Sequence, residues 1–104
     1  MSVLLELAMF PTDKGESVSS YVARVIAVID RRNPDYRLTP MGTIVETADI
    51  DEALKVVADA YRELEPDCNR VYATIKLDIR KGEGGRISRK LESVEKKMGK
   101  KPKT

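Results

Sequence analysis

The first segment, Ser2 to Phe10 (SVLLELAMF), is apolar except for Glu6 and stops at Pro11 and a polar turn through Gly15. Its length and sharp end predict a central strand with apolar side chains on both faces. From Ser17 the period changes. Val18, Tyr21, Val22, Val25, Ile26 and Ile29 recur at helical spacing, which predicts a helix with one broad apolar face. Ser17 is placed to cap it, its hydroxyl accepting from a free amide of the first turn. Asn33-Pro34-Asp35 ends it, because proline lacks an N–H and restricts the residue before it.

Tyr36 to Thr47 (YRLTPMGTIVET) reads as two short strands or one bent strand, with Pro40 and Gly42 marking the irregularity. Asp49 and Glu52 form a capping-box pair that opens a second helix. Ile50, Ala53, Leu54, Val57, Tyr61 and Leu64 lie along one side of it, and Glu65-Pro66-Asp67 stops it. Arg70 to Arg80 (RVYATIKLDIR) alternates cleanly, which predicts a strand burying Val71, Ala73, Ile75, Leu77 and Ile79. After the loop KGEGG, a last short helix from about Ser88 to Met98 carries Leu91, Val94 and Met98, and Gly99 ends it. Strand, helix, strand, strand, helix, strand is the split βαβ, ferredoxin-like arrangement, an α+β fold. Both main helices belong on one face of an antiparallel sheet. The other face is expected to stay open, with Glu6, Glu46, Lys76, Asp78 and Arg80 among Leu4, Ala8 and Ile44. A face of that mixture suits a second subunit or a ligand. Residues 1–98 make one domain, and residues 99–104 a basic flexible tail.

Composition narrows the chemistry. The chain has 104 residues, no histidine and one cysteine, which removes histidine-based acid–base or nucleophilic catalysis and histidine-ligated zinc. Cys68 alone cannot close an intrachain disulfide, a pattern that suits a reducing cytoplasm. No apolar run nears the length of a membrane span. The net charge of +2 conceals an asymmetry, since residues 1–75 hold eight basic and 13 acidic side chains and residues 76–104 hold 11 and four. A basic end of this kind is read as a solvated tail. RNA-binding versions of the fold stack bases on aromatics of two central strands, and only Phe10 and Tyr72 stand there, so nucleic acid is not the expected partner.

Each candidate site has a plainer explanation beside it. Glu6 and Glu46, in strands with apolar neighbours, are candidate acids, but cross-strand pairing with Lys76 or Arg80 explains them more simply. Asp49, Asp51 and Glu52 look like a metal cluster, yet they open a helix, where negative charge is favoured. Gly82, Gly84 and Gly85 fit neither GxxxxGK[ST] nor GxGxxG and read as a flexible connection. Cys68 lacks an activating neighbour. Hydroxyls near strand and helix ends (Ser17, Ser19, Ser20, Thr39, Thr43, Thr47 and Thr74) remain. With carboxylates and aliphatic walls they suit a neutral or cationic small heterocycle.

Three segments carry a family resemblance: SVSSYV at the first helix, LTPMGTIVET across the middle strands, and RVYATIKLDIR followed by a basic loop and RKLESV. Together they resemble the small thiamine-binding protein family over about Val3 to Val94. Pro40-Met41-Gly42-Thr43 followed by Glu46 is the most specific piece. The resemblance implies a non-enzymatic protein assembled as dimers and usually tetramers, while the cysteine and histidine counts lead us to expect a cytoplasmic protein with no metal or cofactor. It would bind thiamine or its hydroxymethylpyrimidine half. Carried across by motif, the ligand-binding positions are Ser17, Ser19, Tyr21, Met41, Gly42, Thr43, Glu46 and Thr74, with Asp78, Lys90 and Ser93 also matching. In this reading Thr43 and Ser19 bond the heterocycle edge, Glu46 favours an aminated or cationic ring, and Met41 supplies apolar cover. The alternative is a structural or regulatory oligomerisation module without a small-molecule ligand.

Overall fold

A computed structural model describes all 104 residues. The elements are β1 (Ser2–Pro11), α1 (Ser19–Arg31), β2 (Asp35–Thr39), β3 (Gly42–Thr47), α2 (Ile50–Leu64), β4 (Val71–Arg80) and α3 (Arg86–Met98). The strands form one antiparallel sheet in the order β2-β3-β1-β4, which is the ferredoxin-like topology. β1 is central because only its sequence is apolar on both faces. Val3, Leu5, Leu7 and Met9 turn toward the helices and are buried, while Leu4, Glu6, Ala8 and Phe10 turn away.

The core forms where Leu5, Leu7, Met9 and Val45 of the sheet meet Val25 and Ile29 of α1 and Val56, Ala60 and Leu64 of α2. Cys68 completes it from the loop after α2. Asp49 does cap α2, its carboxylate accepting from the Glu52 amide at 2.8 Å. The return bond reaches one residue further back, from the Ala48 amide to Glu52 Oε2 at 3.3 Å. The two helices are clamped together by arginines at their rims. Arg24 donates to both carboxylate oxygens of Asp67 at 2.9 Å and to the Glu63 carbonyl at 2.6 Å, and Arg32 donates to Asp59 at 2.6 Å.

Four expectations need correction. Ser17 caps nothing; α1 begins at Ser19 behind Val18, with no side-chain cap bond. The buried stripe of α2 is Ala53, Val56, Ala60 and Leu64, leaving Leu54 and Tyr61 at the edge of the apolar side and largely in solvent. The alternating row of β4 does face the helix side, but Ile75, Leu77 and Ile79 are 43%, 37% and 51% exposed. The two helices rest mainly on β1 and β3, and only α2 reaches β4 at the sheet edge, so the outer strand is incompletely covered.

The fourth correction concerns the opposite face, which is not fully open. α3 has 13 residues, the same length as α1, and its first turn is anchored on that face. There the Ile87 amide donates to Glu46 Oε1 at 3.3 Å. Arg86, buried to 7% exposure, donates to the Ser2 carbonyl at 3.2 Å and to the Asp78 side chain at 2.5 Å. The open surface is what α3 leaves uncovered toward Ala8, Phe10 and Tyr72.

Candidate functional site

The hairpin between β2 and β3 is the local structure from which the site is built. Only Pro40 and Met41 lie between the strands. Thr39 holds the turn closed: its hydroxyl donates to the Gly42 carbonyl at 2.8 Å and accepts from the Met41 and Gly42 amides at 3.2 Å. Gly42 fits closely here, since a Cβ would lie 3.3 Å from the Leu7 carbonyl oxygen of β1, tighter than most such contacts. The turn thus brings β3 hard against β1 and leaves a gap beside them, under the start of α1.

That gap is a cleft of about 200 Å3. Its walls are the C-terminal half of β1 (Leu7 to Phe10), Val18 just before α1, Val22, Val25 and Ile26 of α1, and the hairpin tip from Leu38 to Thr43. The lining is mainly aliphatic. Thr43 is the polar exception with bonding capacity to spare, because its hydroxyl, unlike that of Thr39, makes no hydrogen bond within the chain. No fully buried side-chain polar atom lacks a partner, so this oxygen keeps some solvent contact, and Thr43 lines the cleft. Met41, 88% exposed, stands at the rim. A broad, shallow groove continues from the cleft along α1, sharing Val18, Val22 and Ile26 and adding Ser19 and Asp30. The Tyr36 hydroxyl donates to Asp30 at 2.7 Å, and that bond raises the tyrosine above its ordinary pKa.

The structure sorts the sequence-derived positions into two groups. Met41, Gly42 and Thr43 line the cleft, and Ser19 lines the adjoining groove. Ser17 is exposed just before them. Tyr21 packs its ring against the core, under the Arg24 guanidinium at 5.5 Å from the ring centre. Glu46 and Thr74 lie on the opposite face of the sheet. Glu46 is engaged with the first turn of α3, and Thr74 stands across from Ala8 on the exposed strand. Thr43 and Glu46 therefore do not share a pocket. The residues the sequence reading passed over are the aliphatic walls, Val18, Val22, Ile26, Leu38 and Pro40. For Val18, Val22 and Ile26 the signal is the apolar spacing at the start of the first helix, which also describes core; Leu38 and Pro40 carry no such periodic signal.

Other reactive groups are committed to structure. Burial raises the Cys68 thiol, with the Asp67 and Asp13 carboxylates adding to the effect, so it is a poor nucleophile. Arg24 holds Asp67 below the usual carboxylate range, and Arg32 does the same for Asp59. Asp13 is lowered chiefly by the Asn69 amide, which it accepts at 2.8 Å. No three His, Cys, Asp or Glu side chains converge to hold a metal ion. No helix is long and apolar enough to cross a membrane. What remains is a small apolar cleft with one unpaired hydroxyl.

Fold and cleft together define a ferredoxin-like α+β protein with a small apolar cleft beside its first helix. The chain belongs to the thiamine-binding protein family, whose pattern it matches over residues 5–95. A UPF0045 protein of Methanocaldococcus jannaschii is 36% identical over 92 residues, covering 88% of this chain and 91% of that one. Another UPF0045 protein, from Methanothermobacter thermautotrophicus, is 34% identical over 92% of this chain and 99% of its own length. A solved structure of the Methanocaldococcus jannaschii protein superposes with a TM-score of 0.80 at 35% identity, covering 89% of this chain and 95% of that one. At 21% identity, a Thermotoga maritima protein provisionally assigned to thiamine biosynthesis or salvage shares the fold, with a TM-score of 0.78 over 90% of this chain and 99% of that one.

Proposed function

We propose that this protein binds thiamine or its hydroxymethylpyrimidine half in the cleft between α1 and the β2–β3 hairpin, without chemical turnover. The observation that carries the reading is the free Thr43 hydroxyl in an otherwise aliphatic cleft, in a chain of the thiamine-binding family. Pockets for drug-sized ligands usually run to about 300–1,000 Å3. A cleft of about 200 Å3 suits one heterocycle, not a whole two-ring molecule. The pyrimidine enters the cleft, with Thr43 on its polar edge and Met41 folding over it. The cationic second ring of thiamine lies in the shallow groove along α1, toward the Asp30 end, where that carboxylate supplies negative charge. Calorimetric titration with thiamine and with hydroxymethylpyrimidine tests this. Thr43→Val keeps the shape and removes one hydroxyl, so affinity should fall by about 0.5–1.5 kcal/mol with the fold intact. Unchanged affinity refutes the assignment of Thr43.

A second reading concerns assembly in the cytoplasm as a dimer of dimers, and its specific support is β4. The strand presents ten residues of unpaired edge and the exposed row Ile75, Leu77 and Ile79. Two-fold pairing about Leu77 would set Lys76 of each copy opposite Asp78 of the other and keep the apolar rows together. Sedimentation should then give a tetramer. A clean 11.7 kDa monomer at micromolar concentration overturns this reading and, with it, the alternative of a pure oligomerisation module.

A further inference from the structure

A second cavity of about 460 Å3 lies beside the first turns of α3, on the sheet face opposite the α1–α2 core. Four permanently or usually cationic side chains line it, Arg80, Arg86, Arg89 and Lys90, together with the Ser93 hydroxyl and one carboxylate, Asp78. Asp78 is already engaged by Arg86. Arg86 is more than nine-tenths buried, and its two terminal nitrogens are spent on Ser2 and Asp78, but its Nε donates to nothing in the chain. Arg89 donates through one terminal nitrogen to the Glu83 carbonyl at 2.7 Å, while its other reaches the Glu83 carboxylate, 88% exposed, only at 3.5 Å. Arg80 and Lys90 pair with no carboxylate at all.

Docking of α3 accounts for Arg86 and nothing more. It leaves Arg80, Arg89 and Lys90 crowded into one concavity, where like charges repel unless an anion joins them. We infer that this cavity is a site for a phosphate group, free or carried on a small molecule. A phosphate brings about −1.5 to −2 charges and three acceptor oxygens, which matches planar arginine donors, a lysine and a hydroxyl. The site is distinct from the thiamine cleft. It opens at Leu4 of β1 while the cleft begins at Leu7 and runs to Phe10, and the two lie toward opposite faces of the sheet.

Calorimetry on the full chain at low salt, with inorganic phosphate, glycerol 3-phosphate and glycerol, tests the site. Both phosphates should bind saturably and glycerol should not. Tighter binding of the ester assigns the site to a phosphorylated small molecule, and tighter binding of inorganic phosphate assigns it to the free anion. The double variant Arg80→Gln, Lys90→Gln should weaken phosphate at least tenfold. Lys100→Gln, Lys101→Gln removes the same charge from the tail and should leave affinity within twofold. In the unsubstituted protein, the Arg86 Nε–H resonance should shift as phosphate is added. Absence of saturable phosphate binding, equal losses in the two double variants, or a stationary Arg86 resonance would each overturn the inference. Thiamine titrated in the same experiment keeps the two readings apart, since either ligand can fail without the other.

Discussion

The two faces of β1 carry nearly the same kind of residue and live in different surroundings. Val3, Leu5, Leu7 and Met9 are sealed beneath α1 and α2, while Leu4 and Ala8, one residue along, are only partly covered. On the sealed side, packing is apolar and charge appears only at the rim, as the Arg24 and Arg32 clamps. On the other side a single helix is held mainly by polar ties, Arg86 to Ser2 and Asp78, and Glu46 to the Ile87 amide. The first face supplies most of the apolar packing, and the second supplies a charged surface anchored at Arg86.

That contrast can be broken most directly with one substitution made twice. Leu5→Ala should cost about 2–5 kcal/mol, because a fully buried leucine leaves a cavity in a close-packed core. Leu4→Ala should cost well under half as much. Denaturant unfolding measures both, and equal losses would show that α3 packs as firmly as the main helices.

Acid sharpens the same comparison. Asp13, Asp59 and Asp67 all have folded-state values below the ordinary 3.8, and all tie loops and helices on the sealed side. A lowered carboxylate contributes stability above its unfolded value and loses it as pH falls through the folded one. Stability should therefore hold steady above about pH 5 and drop below about pH 4. Asp67→Asn should flatten part of that drop, read from melting temperature against pH. A slope unchanged by the substitution would deny Asp67 its role in the clamp.

The smallest expected effect belongs to the other face. Glu46→Ala removes the acceptor of the Ile87 amide, so amide exchange along the first turns of α3 should quicken. Global stability should move by no more than about 0.5 kcal/mol. A large global loss would mean that α3 is part of the cooperative core.

Much of this organisation was legible in the residues. The doubly apolar run of β1 and the Asp49–Glu52 pair are local signals, and both describe what the chain does. The alternation of β4 was equally clear, yet alternation states only which side chains share a face. Whether a helix covers that face depends on how far two helices extend across four strands. Arg86 reads as surface charge because its partners, Ser2 and Asp78, lie 84 and eight residues away. The separation of Thr43 from Glu46 was legible in principle: strand side chains alternate, so positions three apart point to opposite faces. The cleft itself was not. Its walls come from three elements, and each wall residue has the same apolar signature as the core beside it.

The strand order has a consequence for how the chain comes into being. β1 is the first strand made, but one of its neighbours, β4, is the last, and the pairing of Ser2 with Arg80 joins residues 78 apart in the chain. While a ribosome is still adding residues beyond α2, β1 can pair with β3 and then has to wait with its other edge bare. Contacts this distant in sequence slow folding, and unpaired strand edges are where nascent chains aggregate. The vulnerable moment of this protein is thus built into its topology, and it ends only when Val71 to Arg80 has emerged.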